Sequence, residues 1–136
     1  MKRILIVLSF LSLLPFTACG SLINSGTHTA VTLEPVPAEF AGKTNPLGAE
    51  AVSAGQAVFM SSCKSCHGLE GHGDGPASSA FDPKPKNLAE LQSQAGDDYL
   101  FWRISSGKSG TAMISWEGIL TEEQIWQIVA FIRTLK

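Results

Sequence analysis

Two cysteines and a histidine stand at a spacing that can hold a cofactor covalently. Cys63 and Cys66 are separated by two residues, and His67 follows directly. Two thiols about one helical turn apart can add across the two vinyl groups of a porphyrin, and the adjacent imidazole is then held under the iron. The spacing Cys-x-x-Cys-His therefore predicts one haem c, attached through Cys63 and Cys66, with His67 as an axial iron ligand.

Other uses of a Cys-x-x-Cys pair fit this sequence less well. A structural zinc site needs four ligands, usually from two such pairs, and the only other cysteine is Cys19, far upstream. A thioredoxin-like redox pair would lie in a βαβ pattern, and the sequence shows none. Haem is therefore the preferred interpretation.

The N-terminal block has the form of an export signal. Lys2 and Arg3 precede an apolar run at residues 4–14, which is too short for a confident spanning helix. Small residues then lead to Cys19, which resembles the lipobox of bacterial lipoproteins; a plain secretory signal with an incidental cysteine is the alternative. We expect a signal peptide at residues 1–18 and a lipidated Cys19 that anchors the exported protein to a bacterial membrane, facing the periplasm.

The charge of the mature chain bears on its partners. Loss of the signal peptide removes Lys2 and Arg3 and changes the formal net charge from −2 to −4. This balance argues against nucleic acid as a partner and against a broad basic patch. The basic residues that could still cluster near the haem edge are Lys64, Lys84, Lys86 and Lys108.

Apolar spacing predicts the elements that position the haem motif. Apolar residues at helical spacing from Ala49 onward predict a helix that runs into Cys63. Thr121 begins a capping box, an apolar stripe follows it, and Arg133 and Lys136 are expected in the last turn of this C-terminal helix. Between them we expect a glycine-rich chain reversal at 68–75, helices at 87–94 and 97–104, and a loop at 107–120. The predicted fold class is all-α, a small helical bundle around the haem.

The chain divides before this helical domain, which covers residues 49–136. Residues 20–48 show no helical or strand periodicity and contain several glycines and prolines, which is typical of an extended tether. Fully stretched, this segment could span about 95 Å. The alternative for residues 19–48 is a strap packed on the domain, which Phe40 and Leu47 could anchor.

The second axial ligand of the iron has four candidates. Met60 lies three residues before Cys63 on the same helix and cannot reach across the porphyrin. His28 lies in the tether, and His72 in the glycine-rich loop is typical of a solvated histidine. Met113 lies in the loop before the last helix, where a methionine can also be simple packing.

Residues 49–136 resemble class I cytochrome c. Besides the haem motif, the matching residues are Gly55, Phe59, Ile128, Phe131 and the segment 110–114, Gly-Thr-Ala-Met-Ile. The resemblance implies a helical fold wrapped around one haem, Met113 as the distal ligand, and one-electron transfer rather than enzymatic catalysis. It also implies that a proline carbonyl, of Pro76 or Pro85, accepts a hydrogen bond from His67. Trp102 and Trp116 become candidate haem-pocket aromatics, although plain core packing explains them equally well.

Three shorter segments resemble a narrower group, the monohaem lipoprotein subunit of alternative complex III, a bacterial quinol-oxidising complex. They are residues 37–46, 73–76 and 83–88, and similar segments occur in other membrane-tied monohaem cytochromes. This resemblance implies redox-partner proteins within a membrane respiratory complex, with residues 20–48 laid on partner subunits. The alternative functions are a haem enzyme or small-ligand sensor with an open or exchangeable sixth iron position, and a structural subunit.

Overall fold

The computed structural model describes residues 32–136. The predicted signal peptide at 1–18, the predicted lipidation site Cys19 and the candidate ligand His28 lie outside the described residues.

The described part of the chain is helical and contains no strand, which confirms the predicted all-α fold class. Its elements are α1 (Ala51–Ser62), α2 (Lys64–His67), a 3₁₀ turn (Ser78–Ala80), α3 (Leu88–Leu91), α4 (Asp97–Ser106) and α5 (Glu122–Ile132). The predicted helices that correspond to α1, α3 and α4 lie within three residues of these bounds, whereas the predicted C-terminal helix runs further than α5. Within residues 32–136, no helix is long and apolar enough to cross a membrane.

The two terminal helices, α1 and α5, cross at Gly55. A Cβ atom at this position would lie 1.8 Å from the carbonyl oxygen of Gln127, so only glycine permits the crossing. One turn further along α1, the ring of Phe59 packs on Phe131 with centroids 5.0 Å apart. Ile128 beside them is fully buried. The helix crossing predicted from these residues is therefore confirmed.

The N-terminus of α5 carries the predicted capping box. The backbone N–H of Gln124 donates to the Thr121 hydroxyl at 3.2 Å, and the Thr121 N–H donates to the Gln124 side chain at 2.9 Å. Two backbone donors that the helix leaves unpaired are satisfied in this way.

The prediction for the C-terminal end of α5 was wrong. The helix ends at Ile132, so Arg133 and Lys136 lie beyond its last turn. The guanidinium of Arg133 instead donates to the carboxylate of Asp97 at 2.7 Å and to the carbonyl oxygen of Ala95 at 2.8 Å. These contacts tie the end of α5 to the start of α4. They favour the end of α5 at Ile132 over its continuation by another turn.

Residues 32–48, called the strap below, lie against the helical domain. The ring of Phe40 packs on Phe101 with centroids 6.1 Å apart. The Asn45 N–H donates to the Asp97 carboxylate at 3.0 Å, and its side-chain amide donates to the Trp126 carbonyl at 2.9 Å. The strap's other core-facing apolar residues are Leu33, Val36 and Leu47. Of the two alternatives, the described part of this segment follows the packed strap.

Candidate haem-binding site

A cavity of about 340 Å³ opens between the haem motif, α4 and the loop after it. Cys63, Cys66 and His67 border this cavity, and Met113 borders it as well. Apolar side chains form much of the remaining lining, among them Phe59, Leu88, Leu100, Ile104, Ile128 and Ile132. A largely apolar cavity with two thiols and an imidazole at its border fits a flat aromatic macrocycle that carries iron.

The chain turns sharply at the haem motif. Helix α1 ends at Ser62, and the N–H groups of Cys66 and His67 both donate to the carbonyl oxygen of Cys63, at 3.1 and 2.9 Å. This single turn presents the two thiols and the imidazole to one cavity. Burial, and next the nearby Cys66, raise the pKa of the Cys63 thiol to about 12.

His67 is oriented by a backbone carbonyl. Its Nδ1 atom lies 3.2 Å from the carbonyl oxygen of Lys86, so an Nδ1–H can donate there and Nε2 is left for the iron. The predicted acceptors, Pro76 and Pro85, were therefore wrong; the acceptor belongs to the residue that follows Pro85. Burial lowers the pKa of His67, while the Lys86 hydrogen bond opposes this, and the neutral ring is the form that binds metal.

The glycine-rich loop brings this carbonyl to His67. Gly73 has a φ of +77°, and a Cβ atom there would lie 2.4 Å from the carbonyl oxygen of Pro85. The N–H of Gly73 also donates to the carbonyl of His67 at 2.9 Å. Glycine thus lets the loop approach residues 85 and 86 closely, and the predicted chain reversal holds the Lys86 carbonyl beside the imidazole.

Residues 108–113, called the methionine loop below, form a closed turn. The Lys108 N–H donates to the Met113 carbonyl at 2.9 Å, and the Thr111 hydroxyl donates to the Lys108 carbonyl at 2.8 Å. The Met113 N–H donates to the same hydroxyl at 3.1 Å. These bonds hold the half-buried Met113 at the cavity that His67 borders; its bond to iron stays a prediction.

The other described candidates for the sixth ligand lie elsewhere. Met60 packs on the core from α1 and does not border the cavity. His72 is exposed, with Nε2 at 3.2 Å from the Lys136 carbonyl and Nδ1 at 3.9 Å from the Glu70 carboxylate. Met113 is therefore the one candidate within residues 32–136 that the fold brings to the cavity.

The two predicted pocket tryptophans separate. Trp116 borders the cavity, whereas Trp102 does not. The ring of Trp102 meets Tyr99 edge-on at 5.7 Å, and the guanidinium of Arg103 lies 3.7 Å from its centroid. The structure therefore supports a packing role for Trp102. The face of α4 that borders the cavity carries Tyr99 and Arg103 instead, which lie one helical turn apart. The spacing of four residues between them could have indicated this face from the sequence.

Charged side chains stand at the cavity border. Three of the four lysines expected near the haem edge border it, namely Lys84, Lys86 and Lys108, whereas Lys64 does not. Glu34 of the strap also borders it and forms ion pairs with Lys108 and Arg103. Hydrogen bonds from Lys108 and then Arg103 lower the pKa of the Glu34 carboxyl below its ordinary value. Nothing local in the sequence marks Glu34, because its ion pairs join residues about 70 positions apart.

Comparisons with known proteins agree with this site. A family model described as cytochrome c matches residues 52–136. A chain from the Kuenenia stuttgartiensis reducing HAO-like protein complex aligns with a TM-score of 0.59 and 24% identity, over 76% of this chain and 52% of that one. Cytochrome cL from Methylophaga aminisulfidivorans aligns with a TM-score of 0.50 and 29% identity, over 62% and 55%. The KustC0563 c-type cytochrome gives 0.50 and 26%, over 60% and 96%. No curated protein sequence matches significantly.

The solved structures and the family model cover different shares of the chains that they match. This chain spans about half the length of the first two solved structures, so the likeness concerns the cytochrome portion. The family match, in contrast, covers well over half of this chain and includes the whole Cys-x-x-Cys-His motif. The chain belongs to the cytochrome c family, as a class I c-type cytochrome with covalently attached haem c.

Proposed function

We propose that the protein is a one-electron carrier whose haem iron is ligated by His67 and Met113. The observation that carries this proposal is the arrival of Met113 at the cavity that Cys63, Cys66 and His67 border. Bound haem supplies the one-electron exchange between ferrous and ferric iron, and the chain positions it and sets its surroundings. A methionine thioether favours ferrous iron and raises the reduction potential. With both axial positions filled by side chains, little rearrangement accompanies electron transfer.

The polar groups at the cavity also favour a carrier over a haem enzyme. Glu34 is the carboxylate among the described lining residues, and it is paired with Arg103 and Lys108. His72 binds the carbonyl of Lys136 outside the cavity. An enzyme that cleaves peroxide would need a free acid–base group over the iron, and these residues are engaged elsewhere.

The carrier function is tested by a redox titration of the purified holoprotein combined with a peroxide assay. We expect a single reversible couple with a one-electron slope, and peroxide consumption no faster than that of a small haem peptide with the same iron content. Sustained peroxide turnover well above that level would contradict the carrier function and favour the enzyme alternative.

We further propose that the carrier is a lipoprotein, exported and held at a bacterial membrane through Cys19. Thr32, at the start of the strap, borders the haem cavity. The chain from Cys19 to Thr32 can span at most about 45 Å, at about 3.3–3.6 Å per residue. An acylated Cys19 would therefore keep the haem close to the membrane surface, where a membrane redox complex can reach it.

Changing Cys19 to serine should release the protein from the membrane or block its processing. Each acyl CH₂ buried in the bilayer contributes about 0.8 kcal/mol, so several chains hold a small domain firmly. Cell fractionation compares the variant with the wild type, and intact mass identifies the modification. A wild-type mass equal to the unmodified chain plus haem would contradict lipidation.

The cavity border suits protein partners in a respiratory chain. Ile114, next to Met113, is 56% exposed, and Lys84 and Lys86 are exposed beside the same opening. An exposed apolar residue near charged side chains is typical of a transient docking surface. We propose that redox partners approach the haem here, within a quinol-oxidising membrane complex, which the resemblance of residues 37–46, 73–76 and 83–88 implies.

A further inference from the structure

Glu34 joins three parts of the molecule. It belongs to the strap, and its two carboxylate oxygens face Arg103 of α4 and Lys108 at the base of the methionine loop. The Arg103 side chain is only 14% exposed, whereas those of Lys108 and Glu34 are 39% and 52% exposed. One carboxylate therefore bridges a fixed helix and a surface loop.

The helix side of this bridge is well held. The Arg103 guanidinium stacks 3.7 Å from the centroid of Trp102, and its Nε donates to the Tyr99 hydroxyl at 3.4 Å. The strap is held separately, since the Gly42 N–H donates to the Asp98 carboxylate at 2.9 Å and Phe40 packs on the core. Glu34 is thus supported from two directions that do not involve the methionine loop.

The loop side is where the bridge acts on the iron ligand. Lys108 exchanges backbone bonds with both Met113 and Thr111, so its position sets that of the whole turn. Beyond the turn, the Trp116 N–H donates to the carbonyl of Ile104 at 3.1 Å. The chain that follows the methionine loop is therefore fixed at Trp116 by a backbone hydrogen bond, and Lys108, at the start of the loop, is tied to the strap by its side chain.

We propose that Glu34 is a positioning residue for the methionine loop. By binding Lys108 and Arg103 together, it keeps Met113 at the iron and makes its displacement by external ligands less favourable. This inference rests on the proposed His67/Met113 ligation. The strap thereby becomes part of the redox site, although no strap residue needs to touch the iron.

The test is the displacement of Met113 by cyanide in the ferric holoprotein. A methionine sulfur on ferric haem gives a weak far-red absorption band, as the family resemblance implies, and cyanide binding abolishes it. Glu34→Gln keeps the shape of the side chain but removes its charge. Apparent cyanide affinity scales with the fraction of molecules whose sixth position is open. Two partly exposed ion pairs predict a rise of about two- to tenfold in that affinity.

Glu39→Gln is the matched control. Glu39 lies on the same strap and is exposed, and the ion pairs within residues 32–136 do not include it. We expect its cyanide affinity to equal that of the wild type. Lys108→Gln should raise the cyanide affinity by no more than Glu34→Gln does, and the double variant should add little to Glu34→Gln, because both changes break the Glu34–Lys108 ion pair. About 1 M salt should move the wild type toward Glu34→Gln, since it screens exposed charges.

The outcomes separate the two proposals. A wild-type ferric protein without the far-red band would overturn Met113 ligation, and with it this role of Glu34. A band that is present, with equal cyanide affinities in Glu34→Gln, Glu39→Gln and the wild type, would overturn the role of Glu34 alone. An effect of Lys108→Gln that Glu34→Gln does not share would also overturn it.

Discussion

Replacing Met113 by alanine should lower the reduction potential by on the order of a few hundred millivolts and let carbon monoxide bind the ferrous iron. The loss of the thioether removes the ligand that favours ferrous iron, and it opens the sixth position. The fold should survive, because His67 and both thioethers remain and Met113 is only half-buried. Potentiometric titration and a carbon monoxide difference spectrum measure the two effects.

Met60→Ala is the control for this prediction. Met60 is the other methionine of the described chain, and it packs on the core from α1 away from the cavity. Its loss should lower the free energy of unfolding and leave the potential and the ferric spectrum nearly unchanged. If Met113→Ala behaves like Met60→Ala in both spectra and potential, Met113 is only packing, and the carrier function needs revision.

Replacing Gly55 by valine should force the terminal helices apart and cost about 3 kcal/mol of folding free energy. Even a Cβ atom would lie 1.8 Å from the Gln127 carbonyl oxygen, and a backbone oxygen inside α5 cannot turn aside as a side chain can. The N-terminus of α5 follows the methionine loop in the chain, so a shift of α5 should also displace Met113. We therefore expect a weaker far-red band together with the lower stability. Denaturant unfolding of the holoprotein, followed by circular dichroism, measures the loss.

Ala54→Val is the matched control for Gly55→Val. Ala54 precedes Gly55 on α1 and is exposed, so the same new side chain meets solvent. It should cost only the helix-propensity difference, less than about 1 kcal/mol. Equal stabilities for the two variants would show that the helices do not cross at Gly55.

Much of the fold could be predicted because local chemistry determines it. The Thr121 capping box and the apolar stripe behind it define α5 without any distant contact. The haem motif is recognised by its spacing, and Gly55 and Phe59 are matched by their distance from Cys63. In each case the side chains that carry the signal also make the contact.

Other features could not be predicted because their signal is not local. Every residue carries a carbonyl, so nothing in the sequence marks that of Lys86 as the partner of His67. The helix end at Ile132 depends on what Arg133 meets on α4. The ion pairs of Glu34 join residues about 70 positions apart, and they appear only when the strap is placed.

The position of the strap also depends on contacts that the sequence does not mark. Proline and glycine content is equally compatible with a free tether and with a packed strap. The decision depends on whether single residues such as Phe40 and Asn45 find partners on the domain. They find them on α4 and α5, and this packing puts Glu34 beside the methionine loop.

The absorption spectrum of the ferric wild-type holoprotein at neutral pH, with and without added cyanide, tests the central claim most directly. A His67/Met113 carrier predicts a low-spin spectrum with the weak far-red sulfur band, and no change with cyanide within the mixing time. A high-spin spectrum without that band, shifting within the mixing time on addition of cyanide, would contradict the account and show that the sixth position of the iron is open.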